Sequence, residues 1–174
     1  MTSAATPEQR LGALFDAHHR RLHRLGVRLL GDTEEARDLV QETFLRAAAA
    51  IARVPDGEPA GEAWLVRVAV NLCRDRHRRR AVRRAHAGPM PVQAASADEE
   101  PSRLARWLVR TALLELPPRR RAILVLYAIE GRSTKEIAAL LGTTAVTVRW
   151  HLSMGRREMG RRLRGVEVGA EEKP

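Results

Sequence analysis

The stretch Ser133–Leu152, STKEIAALLGTTAVTVRWHL, reads as two short helices separated by a tight turn. Ser133 and Glu136 have the spacing of a capping box, in which two orphan backbone N–H groups are satisfied reciprocally. The helix that follows buries Ile137, Ala138 and Leu141. Gly142 and Thr143 supply the turn, since glycine enters the left-handed region without steric cost. Thr144 then caps a second helix. This length and punctuation define a helix-turn-helix. On the second helix, Val148, Leu152, Gly155, Met159 and Leu163 share one face at roughly 100° per residue. The opposite face carries Val146, Trp150, Ser153, Arg157 and Arg161, flanked by Arg149. Trp150 therefore points away from the core. Either it packs on thymine methyls or sugars while Arg149 reaches phosphate or guanine, or another part of the chain covers it.

The surrounding composition favours a nucleic-acid partner. The chain has 174 residues and a net charge of +10, and nearly all of the positive charge is arginine, with Lys135 and Lys173 the only lysines. Arginine's planar fork matches phosphates and guanine edges. A soluble basic surface is the competing account. Hydrophobic residues make up 44% and aromatics only 3%. A core of Leu, Val, Ile and Ala with few aromatics favours helices over sheets. Cys73 is the single cysteine, which excludes an internal disulfide and a cysteine-based zinc site. No apolar run approaches the roughly 20 residues of a membrane span. The opening MTSAATPEQR has no apolar signal region, so a cytoplasmic protein without membrane insertion is expected.

Upstream, helical periodicity continues. Leu11, Leu14, Phe15, His18, Leu22, Leu25 and Leu29 form one apolar stripe that Gly31 terminates. Asp32 and Glu35 open a second helix that runs to about Ile51 and buries Ala36, Leu39, Val40, Thr43, Phe44 and Ala47. On a separate face Asp38, Gln41, Glu42 and Leu45 recur at i, i+3, i+4 and i+7. Such polar residues usually mark a solvated face, but an apolar Leu inside an acidic patch suits docking onto a basic helical partner. The segment RVPDGEPAG (Arg53–Gly61) is a loop by its Pro and Gly content. A third helix begins near Glu62. Its early positions Leu65, Val68, Ala69 and Leu72 are apolar, and from Arg67 to Arg84 it carries eight arginines against one acid, Asp75. A helix buried early and basic late can lay its end along a phosphate backbone.

Residues 86–102 lack apolar periodicity and contain Pro89, Pro91, Pro101 and the acidic run Asp98–Glu99–Glu100, the composition of a flexible linker. Extended, they reach roughly 60 Å, so two blocks joined this way can touch one DNA molecule at separate places. Residues 103–165 form the second block, led by helices at Arg103–Leu116 and from Pro117–Pro118 onward. Residues 1–9 and 166–174 are expected to be disordered. The fold class is all-α, with two small helical domains joined by a linker.

KEIAALLGTTAVTVRWHL resembles the helix-turn-helix of LuxR-type regulators. With the upstream LELPPRRRAILVLYAIEGRSTKEIA it also resembles the fourth conserved region of bacterial sigma factors. The first half separates the two. EEARDLVQETFLRA, followed by WLVRVAVNLCRDRHRRR, resembles the second conserved region of extracytoplasmic-function (ECF) sigma factors, and a LuxR-type regulator would not carry it. The resemblance covers about residues 10–165. It implies a promoter-specificity subunit of RNA polymerase: residues 10–85 as region 2, residues 103–165 as region 4, no catalytic residues, no cofactor and no metal. It implies that Asp38, Gln41, Glu42 and Leu45 dock on the clamp helices of the largest core RNA polymerase subunit, with region 4 on the flap of the second-largest. Asn71, Arg74, Asp75, Arg78 and Arg79 would recognise and open the −10 element of promoter DNA, and the loop Arg53–Gly61 would hold an extruded base. Val146, Arg149, Trp150, Ser153 and Arg157 would face the −35 duplex. An anti-sigma factor is a partner the family commonly uses. The sequence departs from the family pattern at Arg37, Ala48, Arg76, His77, Trp150, His151 and Met154, so no −35 consensus carries over. The alternative is a stand-alone LuxR-like regulator. An enzyme has little support: His19 and His23 are expected to share an exposed face at i, i+4, but spacing places no third metal ligand, and no nucleotide-binding glycine loop is present.

Overall fold

The computed structural model describes residues 6–86 and 101–171, and the described residues are helical with no strand. Helix α1 spans Pro7–Leu30, α2 Thr33–Ala49 and α3 Ala60–His86, with a single 3-10 turn at Ile51–Arg53 before α3. Helix α4 spans Pro101–Leu114, α5 Pro118–Ala128, α6 Thr134–Leu141 and α7 Ala145–Glu171. The acidic run of the linker and residues 172–174 lie outside the described residues.

Local sequence explains the helix ends. Thr6 accepts from the Gln9 backbone N–H (3.3 Å), and the Thr6 N–H donates to Gln9 Oε1 (2.9 Å). This capping box, with Pro7 at the first helical position, starts α1 at Pro7 rather than after residue 9. Gly31 ends α1 at φ 77°, a conformation that side-chain-bearing residues rarely adopt. Asp32 caps α2 by accepting from Glu35 N–H (2.8 Å). At the other end of the chain α7 continues to Glu171, through residues 166–171 that the composition assigned to a disordered tail.

The first block is a three-helix bundle. The apolar stripe of α1 (Leu22, Leu25, Leu29) meets Leu39 and Phe44 of α2, and Leu65, Ala69 and Val70 of α3 close the core. All six α2 positions expected inside are buried. Gly26 permits the close α1–α2 crossing: a Cβ there would stand 3.1 Å from Ala36 Cβ and Leu39 Cδ2. The second block packs α4, α5 and α6 around α7, with Leu116, Ile123, Leu126, Ile137, Val148 and Leu152 inside. In α6 Ile137 and Ala138 are buried as expected and Leu140 joins them, while Leu141, expected inside, is half-buried against the core. The expected face of α7 is inward at Val148, Leu152 and Gly155.

The two blocks also touch each other, through α1 and α3 on one side and α4, α5 and α6 on the other. Arg121 of α5 is 4% exposed, and its guanidinium donates to the carbonyls of Leu29, Leu114 and Leu116. Arg67 of α3 donates to the carbonyls of Leu140 (2.8 Å) and Ala139 (3.0 Å) in α6.

Candidate functional site

Three surfaces carry the sequence-predicted residues. On α2, Asp38 and Gln41 are exposed and Leu45 is 62% exposed, with one turn of helix between neighbours. Glu42 is half-buried: it pairs with Arg46 (2.9 Å) and with Arg76 of α3 (3.2 Å). Arg76 also donates to the Glu35 carbonyl (2.7 Å), so this departure from the family pattern is explained as a strut between α3 and α2. Gln41 and Leu45 line a groove of about 530 Å³ between α1 and α2, shared with Leu11, Phe15, His19, His23 and Phe44. His19 and His23 are therefore half-buried groove residues and not an exposed pair. Among the described residues no group of three or more His, Cys, Asp or Glu is placed to hold a metal ion.

On α3, Asn71, Arg74, Arg78 and Arg79 are exposed along one stretch of helix. Arg74 approaches Asn71 Oδ1 (3.4 Å) and Arg78 approaches Asp75 (3.7 Å), long contacts that leave the guanidiniums facing solvent. The side chains of Arg80, Arg83 and Arg84 lie outside the described residues. The loop before α3 is tied to α1. Arg10 donates to the carbonyls of Ile51 (3.3 Å) and Val54 (2.9 Å) and pairs with Asp56 (2.5 Å), while His18 Nε2 stands 2.5 Å from Glu58 Oε1. A hollow of about 330 Å³ lies between the loop and α1, lined by Arg10, Leu14, His18, Pro55 and Asp56 among others. His18 is buried, as its place on the apolar stripe requires.

On the helix-turn-helix, Ser133 and Glu136 make both halves of the capping box, Gly142 takes φ 59°, and Thr144 Oγ1 accepts from Thr147 N–H (3.1 Å). The Ser133 hydroxyl and backbone N–H, more than the neighbouring Arg132, hold the Glu136 carboxyl below its ordinary range. Val146, Arg149, Trp150, Ser153 and Arg157 all stand exposed on α7, Trp150 at 54%. Among the described residues nothing covers Trp150. Its ring packs edge-on against His151 (4.8 Å) and beneath the Arg120 guanidinium (5.9 Å). Burial first, then the Arg119 and Arg120 charges, lower the pKa of His151, which favours the neutral ring. A planar aromatic with guanidiniums around it, at the start of a helix that leads away from a tight turn, is equipped to enter a major groove.

Sequence reasoning missed one further cluster. Glu62 of α3 pairs with Arg21 of α1 and with Arg132 (2.5 Å), and Glu130 receives Arg21 (2.9 Å) and Arg28 (2.6 Å). The partners are up to 109 residues apart, so no spacing rule reaches them. The one available signal was Glu62 itself, an acid set among apolar positions where a charge must be paired.

Fold and surfaces together define an all-helical, two-block DNA-binding protein with a helix-turn-helix in its second block. The Sigma-70 region 2 family model matches residues 14–83, and the Sigma-70 region 4 model matches residues 106–159. Among curated proteins, the ECF RNA polymerase sigma factor SigL of Mycobacterium tuberculosis is 35% identical over 154 residues, covering 86% of each chain. The ECF RNA polymerase sigma factor SigE of Mycolicibacterium smegmatis is 38% identical over 153 residues, covering 84% of this chain and 58% of its own length. The fold is shared with the sigma factor RpoE of Bartonella quintana, solved in complex with the anti-sigma factor NepR (TM-score 0.66, 23% identity, 90% of this chain and 96% of that one). It is shared equally with CnrH, solved in complex with the cytosolic domain of CnrY (TM-score 0.66, 25% identity, 91% and 90%). The chain belongs to the ECF family of RNA polymerase sigma factors, which direct promoter-specific initiation of transcription. The stand-alone regulator is not favoured. No helix among the described residues is long and apolar enough to cross a membrane.

Proposed function

We propose that the three surfaces divide the work of initiation. Asp38, Gln41, Glu42 and Leu45 dock on the clamp helices of core polymerase, with the second block on the flap. The observation that carries this reading is Leu45: a large apolar side chain left 62% exposed, one turn beyond Gln41 and Glu42 and at the rim of an apolar groove. An exposed apolar anchor ringed by polar groups is the composition of a binding hot spot. Asn71, Arg74, Asp75, Arg78 and Arg79 engage the −10 element, phosphates first and separated bases second. The hollow under the loop receives one extruded base, at a cost of a few kcal/mol of unstacking. Val146, Arg149, Trp150, Ser153 and Arg157 read the −35 duplex. The protein works in the cytoplasm, without enzymatic activity, and an anti-sigma factor is a partner, a reading supported by the sigma factor RpoE having been solved with the anti-sigma factor NepR.

The docking surface is tested by size-exclusion co-elution with core polymerase. Asp38→Arg with Gln41→Arg is expected to weaken association at least about tenfold, near 1.4 kcal/mol, with helix content unchanged. Undiminished association of the double variant removes the α2 surface from the account.

A further inference from the structure

Trp150 stands at one of the positions where the chain departs from the family pattern, so whatever orients its ring belongs to this chain's own residues. An indole left 54% exposed on a helix is free to change rotamer, and a side chain that must be ordered on binding subtracts from affinity. Here two groups back the ring. His151 packs against it edge-on at 4.8 Å, and the Arg120 guanidinium of α5 lies 5.9 Å from its centroid. A cation over the face of an indole is attracted by the ring's quadrupole.

Arg120 does not hold that place alone. Its Nη1 donates to Glu158 Oε2, and the other oxygen of Glu158 accepts from Arg162 Nη2 at 2.7 Å. Arg162 also pairs with Glu115 of α4. Arg120 and Glu158 are both half-buried, where an ion pair is screened less than at the open surface. The hydrogen bond from Arg162 first, and that from Arg120 after it, hold the Glu158 carboxyl below its ordinary range, so it is ionised at neutral pH. Charged groups therefore run without a break from Glu115 on α4, through Arg162 and Glu158 on α7, to Arg120 on α5 and the Trp150 ring. Gly155 allows the crossing that closes this path: a Cβ there would stand 2.7 Å from Leu124 Cδ1 and 3.1 Å from Arg120 Cγ. The carboxylate decides what Arg120 does. A guanidinium beside a groove-facing helix is drawn to DNA phosphate; with Nη1 engaged by Glu158 it stays against the indole instead.

We propose that Arg120, held by Glu158 and through it by Arg162, is a positioning residue that fixes the orientation of the Trp150 ring and so sets which −35 bases α7 discriminates. This role rests on the −35 reading of Trp150, and it adds three residues that act through the ring rather than on DNA themselves. An ion-pair network that only stiffened the second block would lower binding to every −35 sequence alike, as loss of a phosphate contact does. A positioning network changes preference at the bases that face Trp150 and nowhere else.

The test is in vitro transcription by the holoenzyme, core polymerase with the full-length chain, from a promoter library randomised across the −35 element. Base preferences are taken as ratios within each holoenzyme, so that a general loss of activity or stability cancels. The proteins are wild type, Trp150→Ala, Arg120→Gln, Glu158→Gln and the double variant Trp150→Ala with Glu158→Gln. Arg120→Gln and Glu158→Gln are expected to relax preference at least about twofold, the scale of a cation–π contact, at the same positions as Trp150→Ala. Preferences elsewhere stay at wild-type ratios, and Glu158→Gln adds nothing once Trp150 is absent. Wild-type preferences in both single variants overturn the positioning role. So does relaxation at other positions, or a further loss from Glu158→Gln in the Trp150→Ala background. Unchanged preferences in Trp150→Ala strike the −35 assignment of Trp150 itself, and the positioning role with it; that failure is visible in the one variant and separate from the others.

Discussion

Trp150 and His151 show how two adjacent side chains divide between surface and structure. Trp150 is 54% exposed beside Arg149, with its ring against His151 and Arg120, so its removal opens no enclosed cavity among the described residues. Trp150→Ala is expected to lower −35-dependent transcription about tenfold while changing unfolding free energy by no more than about 0.5 kcal/mol, as at other surface positions. Equal loss of both would make it a packing residue. His151 is the opposite case. Its folded-state pKa lies below the ordinary 6.5, through burial first and the neighbouring arginines second. The unfolded chain therefore takes up the proton more readily, and stability falls as pH drops through about 6.5. Thermal melts of His151→Gln should show a shallower acid-side decline between pH 7 and 5 than wild type, a window of about two units around the ordinary imidazole value. An identical pH profile would remove His151 as the source.

At the scale of elements, what the sequence made legible was what local chemistry determines. The helix-turn-helix could be read from Ser133, Glu136, Gly142 and Thr144 because caps and turns are satisfied within four residues. Ser133→Ala should lower stability by about 1 kcal/mol, measured by urea unfolding; no loss would mean the cap forms without contributing. The six buried positions of α2 were legible for the same reason, as a periodicity. The start of α1 was equally present, in Thr6–Pro7–Glu8–Gln9, but its capping box lies ahead of the apolar stripe and is easily taken for a tail. The groove beside Leu45 and the half-burial of His19 and His23 were not legible, since they depend on how α1 and α2 cross. The extension of α7 to Glu171 runs through glycine-containing sequence that composition alone assigns to coil.

At the scale of the whole molecule, the chain combines two small bundles with surfaces of different chemistry: an acidic and apolar one on α2, a basic one along α3 and a mixed aromatic and basic one on α7. Neither family resemblance nor periodicity indicates how the blocks meet, because the buried charges that join them are distributed from Arg21 to Arg132. The same division of surfaces explains why a chain of net charge +10 need not act as a general duplex binder. Its non-specific affinity is electrostatic and falls steeply with salt, whereas its specificity depends on two faces being held at the spacing of a promoter by a larger scaffold. The direct measurement is enrichment of genomic DNA fragments by the tagged chain, alone and with core polymerase, at moderate salt. The account predicts enrichment of fragments sharing two spaced elements only when core polymerase is present. The same fragments enriched by the chain alone would contradict it, and would mark a stand-alone duplex-binding regulator.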